Sequence, residues 1–135
     1  MKKLFLLLLS FGFLIVHPVK AETVLYCKSE LSTGFIKDNG SWRIANFKED
    51  RHTVKFNNDF TRLEGITYNA MDCTVPHHHK PNQIFCVHSL GSHETFIYNK
   101  KTKRYLLSNV SSAGYIFNAK DADTENLEVG TCKEF

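Results

Sequence analysis

"TGFIKDNGSWRIANF", Thr33 to Phe47, carries the clearest fold signal in the chain. Two arms of β-type residues flank "DNGS", and Asn39-Gly40 sits at the centre. A two-residue hairpin loop of type I′ needs φ > 0 at both central positions, and Asn-Gly meets that need better than other pairs. The stretch predicts a tight antiparallel hairpin, and the flanking sequence repeats the same grammar.

Upstream, "TVLYC" begins at Thr23. Downstream come "HTVKFN" at His52, "TRLEGITYN" at Thr61, "IFCVHS" at Ile84, "ETFIYN" at Glu94, "RYLLSN" at Arg104, "GYIFNA" at Gly114 and "LEVGTC" at Leu127. In the run from His52, Val54 and Phe56 fall on one face and Thr53, Lys55 and Asn57 on the other, the period-two pattern of a half-buried strand. "FIYNKKTKRYLL" reads as a second hairpin with a basic tip. No window of helical length keeps an i, i+3, i+4 apolar stripe, and residues 119–127 hold one helical turn at most. About eight to ten short strands predict an all-β domain, a small antiparallel barrel or sandwich. Most of the aromatic residues belong to its core.

The chain opens "MKKLFLLLLSFGFLIVHPVKA". Lys2 and Lys3 precede an apolar run over residues 4–16, which is too short to span a bilayer, and Pro18 ends it. Val19 and Ala21 suit the −3 and −1 positions of a cleavage site. The expectation is a signal peptide over residues 1–21 and a single domain over residues 22–135, periplasmic or secreted and without a membrane span. Tyr26 before Cys27 is too bulky for a lipidation site. The whole chain has 17 basic and 14 acidic residues, and removing Lys2, Lys3 and Lys20 leaves 14 of each. A neutral domain offers no whole-molecule electrostatic case for nucleic-acid binding.

Cys27, Cys73, Cys86 and Cys132 all follow the leader. An even count in an exported chain reads as two disulfides, for which three pairings exist. Cys27–Cys132 with Cys73–Cys86 is preferred. The first ties the first strand to the last, and the second closes the loop that holds the histidines. No C-x-x-C pair is present, which excludes the usual thiol-redox and Cys-rich zinc patterns.

"AETVLYC", "TGF", a Trp, "FKEDRHTVKFN" and the terminal "GTCKEF" together resemble a family of short, exported, two-disulfide proteins of marine bacteria and their phages. That resemblance implies export and a small β fold, with no known activity. More remotely, the chain is similar to the periplasmic inhibitors of C-type lysozyme, small disulfide-bearing barrels with a Ser-Gly-x-x-Tyr loop. Here "EGITY" supplies Gly65 and Tyr68, with Glu64 where Ser is expected. The likeness implies a partner-binding role for Gly65 and Tyr68.

Four further constellations bear on function. "TVPHHHKPNQIFC" places His77, His78 and His79 between Pro76 and Pro81. In an extended chain His77 and His79 point the same way, and His88, His93 or His52 would have to supply a third ligand. The simpler expectation is an exposed loop. "NKKTKR" gathers Lys100, Lys101, Lys103 and Arg104, either a solubilising hairpin tip or a surface for an anionic partner. "DADTEN" fails as a calcium loop, because Asn126 stands where Gly is required and Cys132 where Glu is required. His88, Ser89, Ser92 and His93 lie close together, but no nucleophile elbow accompanies them. Taken together, the sequence predicts an exported binding module with no cofactor, whose partner is a protein or a small apolar ligand. The alternatives are an inhibitor of a cell-wall hydrolase, a metal-binding protein using the histidine loop, and a small enzyme.

Overall fold

A computed structural model describes residues 21–88, 94–110, 115 and 124–135. All regular structure in them is β: β1 Thr23–Asp38, β2 Ser41–Asn46, β3 Arg51–Phe56, β4 Arg62–Glu64, β5 Met71–Thr74, β6 Gln83–His88, β7 Glu94–Asn99, β8 Arg104–Asn109 and β9 Glu125–Glu134. Every pairing is antiparallel. The order β1-β3-β4-β5-β6-β7-β8-β9 closes through β9 on β1, making an eight-stranded barrel. β2 is the extra strand, paired with the second half of β1.

The length of β1 makes both arrangements possible. Its first half pairs with β3, its second half pairs with β2, and its other edge carries β9 over most of that length. The two runs read separately at Thr23 and Thr33 are therefore one strand. The Asn39-Gly40 turn forms as expected, with φ of 48° and 82°. "TRLEGITYN" contributes only β4 before its backbone turns, with Gly65 at φ 98°. "MDCT" is a strand that alternation over four residues does not announce. "GYIFNA" lies outside the described residues except for Tyr115.

The barrel interior is filled by side chains. Leu25, Val54, Phe56, Leu63, Met71, Ile84, Phe96 and Tyr98 are buried there. Phe56 lies 5.8 Å from Tyr98 and 5.0 Å from Phe60 between ring centroids. Each such large apolar side chain contributes about 1.5–3 kcal/mol by leaving water. Both disulfides also point inward. Cys27 and Cys132 are register partners across β1 and β9, and Cys73 and Cys86 across β5 and β6. The expected nested pairing is the one observed.

Gly130 faces inward directly opposite Tyr105. A Cβ at this position would collide with the Lys28 carbonyl and lie 2.7 Å from the Tyr105 ring. The glycine lets β9 approach β1 closely and leaves room for that ring.

Candidate functional site

The site begins with one extra residue. Along β1, Leu25, Cys27 and Ser29 alternate into the barrel. Ser29 pairs with Gly130 and Leu31 pairs with Val129, so two steps on β1 match one on β9. Glu30 is the surplus residue of a β-bulge, and from it onward the odd-numbered side chains change sides. Ser29 is 1% exposed and Leu31 71%. Phe35 then points outward beside its register partner Ile44 on β2, and both are exposed.

This outward face continues across neighbouring elements. Leu127 of β9, Val110 and Tyr115 are exposed apolar residues that line the same region with Phe35 and Ile44. A concavity of about 540 Å³ is lined by Phe35, Trp42, Arg43, Ile44, Val110, Tyr115 and the buried Glu125. Trp42 and Tyr115 meet edge to face at 5.7 Å. Arg43 donates from Nε to Asp38 at 3.0 Å across the turn. The exposed apolar side chains are contiguous over this face.

Beside the concavity lies a strand edge. Among the described residues β2 pairs with β1 alone. In a two-residue hairpin the pair flanking the loop, here Asp38 and Ser41, exchanges hydrogen bonds, and alternate residues follow. The Phe47 amide continues this series by donating to the Ser32 carbonyl at 3.0 Å. Arg43 and Ala45 therefore bond to β1, while the amides and carbonyls of Trp42 and Ile44 face away from it. Neither Lys nor Pro interrupts this edge, and those are the residues that usually protect one.

A polar cluster lies inside the same end of the barrel. His52 donates from Nε2 to Glu128 Oε1 at 2.8 Å, and the Tyr105 hydroxyl donates to the same oxygen at 2.5 Å. The His52 and Tyr105 rings meet edge to face at 6.3 Å. Ser29 exchanges bonds with Asp50: its Oγ accepts from the Asp50 amide at 2.6 Å and its amide donates to the Asp50 carbonyl. Burial, reinforced by the bond to Glu128, pushes the Tyr105 phenol well above its ordinary range. Glu128 and Tyr105 are buried. The cluster closes one end of the core with matched polar groups.

The other candidates separate in space. His77 and His79 converge, with ring centroids 5.4 Å apart, in the 75–82 loop. His88 is buried at the opposite end of β6, five residues beyond Gln83 and about 17 Å along the strand. His52 is committed to Glu128, and His93, Ser89 and Ser92 lie outside the described residues. Among the described residues no group of three His, Cys, Asp or Glu is placed to hold a metal ion. Gly65 and Tyr68 stand in the 65–70 loop, where a Cβ at Gly65 would strike the Thr53 carbonyl and Tyr68 is fully exposed. Lys100, Lys101 and Lys103 form the β7–β8 turn and Arg104 begins β8. Lys100 lies 4.9 Å above the Phe60 ring, and Lys103 pairs with Glu134.

The chain matches no protein-family model, no curated protein and no solved structure in comparisons with all three. Its fold and site define a small, disulfide-stapled, closed antiparallel barrel with an apolar face outside the wall. Two disulfides suit an oxidising extracellular environment, and among the described residues no helix is long and apolar enough to cross a membrane.

Proposed function

We propose that this is a binding module of the periplasm or cell exterior, which captures an extended segment of a partner protein on the outer face of the β1–β2 hairpin. One observation carries this reading: the exposed apolar concavity is continuous with the edge of β2, which is unpaired among the described residues. A peptide laid along β2 would satisfy the outward amide and carbonyl groups of Trp42 and Ile44. Its alternate side chains would enter the concavity beside Phe35 and Tyr115. The interior is occupied by Phe56, Phe96, Tyr98 and both disulfides, which favours recognition on the outside over a ligand held within.

Selection of displayed random peptides on the purified protein tests the reading. The expected winners alternate apolar and polar residues. They lose binding to Ile44→Pro, which removes the outward amide without touching a β1–β2 hydrogen bond. They retain binding to Tyr68→Ala. Failure to enrich any peptide, or equal binding to Ile44→Pro, contradicts it. So do self-association of the protein through this edge and binding of small apolar molecules in place of peptides.

The 65–70 loop supports a second reading, inhibition of a cell-wall hydrolase by insertion of Tyr68 into a cleft. The fully exposed Tyr68 ring on a filled barrel favours it. Inhibition of a lysozyme that Tyr68→Ala abolishes and Ile44→Pro leaves intact would establish this reading over the first.

A further inference from the structure

At the end of the barrel opposite the β1–β2 hairpin, the topology joins two sequence features that lie twenty residues apart. The Lys100 amide donates to the Asn82 carbonyl at 2.9 Å, and Gln83 is the register partner of Asn99. The histidine loop and the basic turn are thus one surface. It carries His77, His78, His79 and Lys80 beside Lys100, Lys101, Lys103 and Arg104, and residues 75–83 and 95–109 contain no Asp or Glu. Between Lys80 and Arg104 runs an open groove of about 420 Å³, lined by the Gln83 and Asn99 amides and by Ile97, Tyr105 and Leu106. Asn99 turns its Oδ1 to the Lys101 and Thr102 amides at 2.9 and 3.0 Å, which leaves its Nδ2 to donate outward.

We propose that this surface binds an acidic polysaccharide, and that the three histidines tighten the binding as pH falls. The cations of Lys80 and Arg104 would meet sulfate or carboxylate groups, and the Gln83 and Asn99 amides would bond to sugar hydroxyls between them. An imidazole that takes up a proton gains a positive charge, so acidification adds cations from this loop to a surface that is already basic. Few neighbouring groups oppose them. Glu134 of β9 is paired with Lys103 and Glu64 of β4 with Arg62, Asp59 in the adjoining 57–61 loop keeps its negative charge while accepting bonds from Thr61, and Lys133 adds to the positive side.

The chemistry favours a glycan over other polyanions. Among the described residues neither loop tip exposes a Trp, Phe or Leu that could enter a bilayer. Among the described residues of this surface no Trp, Tyr or Phe ring is free for base stacking, because Phe60 lies under the Lys100 ammonium and Tyr98 and Tyr105 are buried.

Calorimetry with two size-defined acidic oligosaccharides, a heparin fragment and an oligogalacturonate, tests the proposal at about pH 5.5 and about pH 7.5. The expected result is binding of at least one of them, tighter by about tenfold or more at the lower pH. The triple variant His77→Gln, His78→Gln, His79→Gln should lose the pH effect and keep the binding seen at the higher pH. Lys80→Glu with Arg104→Glu should lose binding at both. Phe35→Ser, on the other face, should behave as the wild type. The proposal is overturned by absence of binding to both glycans at both pH values, or by a pH effect that survives the triple variant. It is equally overturned if anionic phosphatidylglycerol vesicles or single-stranded DNA bind more tightly than either glycan.

Discussion

Ser29 and Leu31 stand two positions apart on one strand and face opposite sides of the barrel wall. The first supports the Asp50 backbone from within, and the second lies in solvent beside the apolar face. In a regular strand they would share a face. Glu30 accounts for the difference, and deleting it should restore regular β1–β9 pairing without exchanging any side chain between faces. We expect the Glu30 deletion to fold with both disulfides intact, with Phe35 still exposed and with stability changed by about 1 kcal/mol. Denaturant unfolding and disulfide mapping check this, and a chain that fails to fold would show that the bulge has another role.

The buried phenol of Tyr105 makes stability fall at alkaline pH. Burial and the bond to Glu128 raise the folded-state pKa above the unfolded value near 10.0, so the folded protein holds a proton that the unfolded chain has released. The stabilisation is complete below that value and declines as pH climbs past it. Burial raises the Tyr98 phenol in the same direction. Near-ultraviolet absorbance should show two phenols ionising only as the protein unfolds. In Glu128→Gln the Tyr105 transition should move down toward the ordinary range.

Loss of the two disulfides should be unequal. Cys27–Cys132 spans 105 residues of sequence and Cys73–Cys86 spans 13. By loop-closure entropy, replacing the first pair with Ala should cost about 4–5 kcal/mol and the second about 3. Equilibrium unfolding of the two double variants gives the comparison, and a larger loss from the inner pair would contradict the entropic account.

The histidine loop should bind metal weakly. His77 and His79 meet, but among the described residues no third His, Cys, Asp or Glu is placed to complete a metal site with them. Two imidazoles on a loop do not complete a tetrahedral zinc site. Zinc titration by calorimetry should give binding weaker than micromolar, with folding unchanged by His77→Ala and His79→Ala together. Stoichiometric sub-micromolar binding that disappears in that variant would establish a metal site.

Much of the fold could be read from local pattern. Asn39-Gly40 fixed its hairpin because only certain residues accept two successive positive φ angles, and Val54 and Phe56 declared the inner face of β3 by simple alternation. Cysteine count and order pointed to the nested bridges. What stayed hidden depends on register between distant segments. Leu25, Cys27, Ser29, Leu31 and Phe35 keep one unbroken odd-numbered alternation, so nothing local says that the last two lie outside. Only pairing with Gly130 and Val129, about a hundred residues away, reveals the bulge. The one available signal was the excess of apolar residues on both faces of residues 31–36, "LSTGFI", which a strand buried on one side does not need. The His52–Glu128–Tyr105 cluster was hidden for the same reason, since its members come from three strands spread over most of the chain.

Amide hydrogen exchange along β2 tests peptide capture at this strand edge. In the free protein the Trp42 and Ile44 amides should exchange fast and those of Arg43 and Ala45 slowly, because only the latter pair bonds to β1. On addition of a selected peptide, Trp42 and Ile44 should become protected while Arg43 and Ala45 change little. If Trp42 and Ile44 are already protected in the free monomer, or stay fast in the complex, the open edge of β2 is not the binding site.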